Sequence, residues 1–110
     1  MKQVQFTSKV RQYFKDLVPT LYNLGYFSYS ESSQKYVREL IKDIETNLPT
    51  RPHKPATKYF DQYGKDMLYA TFRKNKQTTW YAFFTKYNEN GNTFYLVRHI
   101  ANNHTVAQYL

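Results

Sequence analysis

Arg98, His104 and Tyr109 stand near the end of the chain, and Arg73, Lys74 and Lys76 precede them in a stretch where Glu89 is the only acidic residue after Asp66. Metal-free cleavage of an RNA phosphodiester needs side chains of these types. One group takes the proton from a ribose 2′-hydroxyl, another protonates the departing 5′-oxygen, and cations stabilise the negatively charged phosphorane between them. Histidine titrates near neutrality, so His104 suits one proton transfer and the Tyr109 phenol the other. Arg73, Lys74, Lys76 and Arg98 suit the phosphate. Each residue also has a plainer use: His104 as a surface histidine, Tyr109 as an anchor for the C-terminus, and Lys74 and Lys76 as a solvated turn that discourages sheet-edge association. His53, His99 and His104 form a poor metal set, because cysteine is absent and carboxylates are scarce nearby. No metal or cofactor is expected.

The charge distribution names the partner class. The 110 residues carry a net charge of +8. Residues 1–50 hold seven basic and five acidic side chains, a balance of +2, and residues 51–110 hold nine and three, a balance of +6. Aromatic residues make up 19% of the chain and are interleaved with the cations of the second half. Lys and Arg neutralise phosphates and flat rings stack on bases, so nucleic acid is the first partner to consider. With no cysteine there is neither a disulfide framework nor a thiolate metal site. No signal-peptide or membrane-length apolar run occurs, and cytoplasmic residence without membrane contact is expected.

These residues need elements to position them. Val4 and Phe6 alternate with polar neighbours and predict a short first strand, after which Thr7 or Ser8 caps a helix with Val10, Phe14, Leu17, Leu21 and Leu24 on one side. Pro19 is expected to kink or break that helix, and Gly25 to end it. Val37, Leu40, Ile41, Ile44 and Leu48 predict a second helix, with Ser28 and Glu31 at capping-box spacing ahead of it. Pro49 and Pro52 close it and open a loop over residues 50–55 that carries Arg51, His53 and Lys54. The period then changes to two, and residues 67–73, 78–86 and 94–100 read as three antiparallel strands. Their turns are Lys74-Asn75-Lys76-Gln77 and the Asn-Gly turn over residues 88–92. The expectation is one α+β domain spanning residues 1–110: a small antiparallel sheet of three to four strands, two N-terminal helices on one face, the other face free. Trp80 reads as a packing residue.

Alternation along the last strand sends Arg98 to one face with Phe94, Leu96 and Ile100, and His99 to the other with Tyr95 and Val97. Only one of the pair can then join an open-face site. Arginine is the harder of the two to bury, so Arg98 is placed outward.

The order of elements, together with Phe94-Tyr-Leu-Val-Arg-His-Ile-Ala-Asn-Asn-His104 after the Trp80-Tyr-Ala-Phe-Phe84 strand, resembles the RelE/ParE superfamily of type II toxin–antitoxin toxins. The likeness covers most of the chain. It implies a small sheet backed by two helices, with a basic groove that cleaves mRNA in the ribosomal A site or, in ParE-type members, inhibits DNA gyrase. By the same resemblance Arg98 or His104 is the cationic or imidazole group near the end of the last strand and Tyr109 is the C-terminal tyrosine. Lys54 and Lys58 are the lysines ahead of the second strand. Where members often have arginine at the start of the third strand, this chain has Thr78 and Thr79, with Lys76 the nearest cation. The implied partner is an acidic, partly disordered antitoxin. Three readings follow: a ribosome-dependent endoribonuclease, a gyrase inhibitor, and a noncatalytic RNA-binding module.

Overall fold

Val4 and Phe6 do turn inward, from a first strand β1 (Lys2–Phe6), and both pack against the main core. The computed structural model describes residues 1–110. After β1 the chain forms α1 (Ser8–Asn23), α2 (Ser30–Asn47), β2 (Lys54–Pro55), β3 (Leu68–Arg73), β4 (Thr79–Glu89), β5 (Asn92–Asn102) and a short α3 (Asn103–Val106). The result is an α+β fold whose open sheet runs β1-β5-β4-β3-β2.

The sheet is larger than expected, and mixed. β1 lies parallel to β5, with Val4 opposite Tyr95, because α1 and α2 carry the chain across the sheet before β3 begins. The three long strands form the expected antiparallel meander. The loop over residues 50–55 contributes β2, a two-residue edge strand pairing Lys54 with Tyr69. Pro55 has no N–H to donate, which an edge position tolerates.

Thr7 caps α1, its hydroxyl oxygen accepting the Val10 N–H at 3.3 Å, and Val10, Phe14 and Leu17 are buried. Pro19 does not break the helix, which runs on through one more turn to Asn23. Pro19 and Lys15, whose carbonyl loses its helical donor, are both exposed to solvent. Gly25 ends the helix in the left-handed region at φ +82, with Tyr26 N–H bonded to Leu21 O and Gly25 N–H to Tyr22 O, a Schellman arrangement. The capping box is not formed: α2 starts at Ser30 behind Tyr29, and no side chain caps it. Ser33, wholly buried, instead donates its hydroxyl to Val18 O at 2.6 Å and ties the two helices together.

Both helices cover one face, over Ala70, Phe72, Trp80, Ala82, Phe84, Tyr95, Val97 and Ile100. Trp80 is 1% exposed, a packing residue as its size suggests, and its Nε1–H donates to the Tyr36 hydroxyl at 2.9 Å. The opposite face is not free. A 3-10 turn at Lys58–Gln62 and the C-terminal α3 cover its centre and bury a second cluster of Phe60, Met67, Tyr69, Tyr81, Phe83, Ala101 and Val106. Tyr69, Tyr81 and Phe83 alternate with residues of the helix-covered face, so both faces of these strands are apolar and each needs a cover.

One irregularity decides the functional geometry. Phe83 pairs with His99 and Phe84 with Val97, leaving Arg98 as an extra, bulged residue of β5. The bulge resets the alternation. Ile100 faces the helices with Tyr95 and Val97, whereas His99 and Ala101 face the other side. The inference that Arg98 and His99 must lie on opposite faces therefore fails, because it assumed an unbroken strand.

Candidate nucleic-acid interface

β1 makes its last bond to β5 where Thr7 N–H meets Val97 O at 3.1 Å, and the chain then leaves the sheet for α1. Beside this departure, at the bulge, a cleft of about 280 Å³ opens between the first turns of α1 and the 3-10 turn. Lys9, Val10 and Tyr13 line it from α1, Gln62 and Tyr63 from the other side, and Arg98, His99 and Ile100 from β5. No carboxylate is among them.

Arg98 is exposed and runs alongside Gly64, where an added Cβ would stand 2.8 Å from its Nε. Gly64 thus leaves the channel through which the guanidinium reaches the cleft. His99 is half-buried and lies flat on Tyr63, with ring centroids 3.7 Å apart and planes 6° from parallel. Phe60 and Phe83 lie behind it. Burial lowers its pKa to about 4, so the imidazole is neutral at pH 7. At that pH it accepts a proton or hydrogen bond and contributes no positive charge.

The electrostatics outside the cleft follow the same pattern. Arg51 and Asp43, 3.5 Å apart, form the only ion pair in the protein, although it has 16 Lys and Arg side chains. Arg51 also lies over the Phe72 ring and Lys86 over the Tyr95 ring. The remaining cations have no carboxylate partner and are open to an external anion.

The other sequence candidates occupy separate places. Lys54 is exposed on edge strand β2, and Lys58 is exposed where the 3-10 turn begins. Arg73 donates its Nε–H to Asn75 O at 3.1 Å and so braces the β3–β4 turn. Lys74 and Lys76 flank Asn75, whose Oδ1 accepts the N–H groups of Gln77 and Thr78. His104 opens α3, with its Nε2 3.3 Å from Thr78 Oγ1. It lines a different, larger cleft than Arg98 does. Tyr109 stacks on Tyr59 at 3.6 Å, and its carbonyl accepts the Thr57 hydroxyl at 2.6 Å. The C-terminal segment is consequently folded against the second core, with Tyr109 in its plainer use as an anchor.

Arg98, His104 and Tyr109 are thus not brought into one cleft. Lys9, Gln62, Tyr63 and His99 join Arg98 instead. They come from three distant parts of the chain, and only the bulge turns His99 toward the others, so no sequence spacing marked them. The three histidines are likewise apart: His53 bonds the Leu48 carbonyl through Nε2 at 2.9 Å and packs edge-on to Phe84. No group of three metal-ligating residues forms. No helix is long and apolar enough to cross a membrane. Comparison with protein-family models, curated proteins and solved structures returns no match to this chain.

Proposed function

We propose that this protein is an RNA-directed toxin of the RelE/ParE kind, acting in the cytoplasm on mRNA held by the ribosome and neutralised by an acidic antitoxin. One observation carries the reading: Arg98 and Lys9 open, without any carboxylate partner, onto a cleft that also presents an aromatic ring and a neutral imidazole. A phosphodiester fits that chemistry, because two cations offset its charge while Tyr63 and His99 meet its sugar or base. The two-helix layer on one face of the sheet agrees with what the resemblance implies. Charge complementarity supports an acidic partner.

For cleavage, Arg98 and Lys9 would stabilise the phosphorane, and unprotonated His99 would accept the 2′-hydroxyl proton and return it, as imidazolium, to the departing 5′-oxygen, leaving a 2′,3′-cyclic phosphate and a 5′-hydroxyl. A base with a pKa about three units below neutrality is weak, and His104 and Tyr109 lie elsewhere. That separation favours a second reading, in which the same cleft binds without cutting, on RNA or in a gyrase-inhibiting complex.

Controlled induction in a bacterial host, read with primer extension on cellular mRNA, tests both. Growth arrest with cuts inside translated codons supports the nuclease, and arrest with intact mRNA moves the assignment to the noncleaving reading. Normal growth at verified protein levels refutes the toxin. Arg98→Ala should lower RNA affinity and reduce the salt slope by about one counterion.

A further inference from the structure

A second cleft, of about 620 Å³, lies between the end of α1, the α1–α2 connection and the β3–β4 turn. Its volume falls within the range of roughly 300–1,000 Å³ found for small-ligand sites. Tyr26, Phe27 and Tyr36 give it aromatic walls, and buried Trp80 forms its floor. Tyr26 is 65% exposed, a large apolar surface left in water at the mouth.

The hydrogen-bond inventory says what the cleft would take. Asn75 spends its Oδ1 on the N–H groups of Gln77 and Thr78, and Asn102 spends its Oδ1 on His104 N–H. Those bonds fix the orientation of both amides and leave each NH₂ without a protein acceptor. The Tyr36 hydroxyl accepts from Trp80 Nε1–H and has no acceptor for its own proton. The cleft therefore combines aromatic walls with three unspent donors and no acidic side chain. Lys74 and Lys76 flank Asn75 in the β3–β4 turn, outside the lining itself.

We infer that this cleft is a nucleobase site, selective for a planar ring with carbonyl acceptors on its edge, such as uracil, with the attached phosphate toward Lys74 and Lys76. The base stacks on the aromatic walls, and the Asn75, Asn102 and Tyr36 donors meet its carbonyl oxygens. Adenine offers only ring-nitrogen acceptors and sets its own amino donor against a site of donors, so it satisfies fewer of them than uracil does. The base can belong to a free nucleotide or to an RNA strand. The strand as source rests on the function proposed above; the site itself does not.

Trp80 is the only tryptophan in the chain, so its fluorescence reports on this cleft directly. The full-length protein is titrated with uridine 5′-monophosphate, adenosine 5′-monophosphate, ribose 5-phosphate and a uridine-containing single-stranded RNA. The expected result is a saturable Trp80 change with the uridine nucleotide or the RNA, and weak responses to the adenosine nucleotide and ribose phosphate. Tyr26→Ala, at an exposed wall position, should weaken binding roughly tenfold through lost stacking. Tyr36→Phe should weaken it by a factor of roughly three to ten through one lost hydrogen bond.

A response to the mononucleotide that RNA does not displace assigns the site to a free nucleotide, and a response to RNA alone assigns it to a strand. Equal responses to uridine, adenosine and ribose phosphates, or none, overturn the site. RNA binding that depends on Arg98, with Trp80 silent to RNA and mononucleotide alike and the Tyr26→Ala variant binding RNA as the wild type does, overturns the site and spares the proposed function. A nucleotide response without any RNA binding does the reverse.

Discussion

Replacing His99 with phenylalanine isolates the titration of one buried ring. The wild-type imidazole has its pKa lowered from 6.5 to about 4 by burial, against Tyr63 on one side and Phe60 and Phe83 behind. The neutral form is therefore the one the fold accommodates. Between pH 6.5 and 4 the unfolded chain binds this proton more readily than the folded chain, so stability falls as the pH falls through that window. A shift of about two and a half units sets a ceiling of about 3 kcal/mol. His99 is only half-buried, and solvent screening cuts the expected effect to roughly 1–2 kcal/mol. Phenylalanine keeps a ring against Tyr63 and cannot titrate. Urea unfolding of both proteins at pH 7 and pH 4 should show the wild type losing roughly 1–2 kcal/mol more than His99→Phe, other groups cancelling in the difference. Equal losses for the two proteins would refute the claim that His99 is held neutral, and with it the cleft's acceptor.

Gly64→Ala puts a methyl group 2.8 Å from Arg98 Nε and 2.9 Å from Met67 Sδ, both parts of flexible side chains. The expected cost is about 1 kcal/mol by denaturant unfolding, with weaker RNA binding because Arg98 is displaced while its charge remains; binding equal to wild type would mean that the guanidinium does not act from this channel. Ser33→Ala removes the 2.6 Å bond from α2 to Val18 O and should cost about 1–2 kcal/mol of thermodynamic stability, measured by the same unfolding, with no change in RNA affinity.

Local periodicity made much of the architecture legible. The apolar faces of α1 and α2, except for Leu24, which lies past the end of α1 and is 67% exposed, together with the glycine stop at Gly25 and the three-strand meander are properties of short segments, where side-chain spacing alone decides which surface can be buried. The boundary near α2 was not, since Ser28 and Glu31 have the right spacing for a cap that the chain conformation after Gly25 does not adopt. The parallel placement of β1 was equally hidden: pairing across the whole chain length depends on how both helices pack, and no local pattern encodes it.

The site divides along the same line. Composition alone determined that this chain has an excess of cations and aromatics in its second half. It also brought Arg98 forward as a residue difficult to bury, and the structure leaves Arg98 exposed. Only the tertiary structure decided its neighbours. Strict alternation in an ideal strand separates Arg98 from His99, but one extra residue opposite Phe83 and Phe84 resets the alternation and turns His99 toward Tyr63. Lys9 then arrives from α1 and Gln62 from the 3-10 turn. Side-chain chemistry is a property of each residue and can be read one letter at a time. Proximity depends on strand pairing, the bulge and helix docking together, so it exists only once the whole chain has folded.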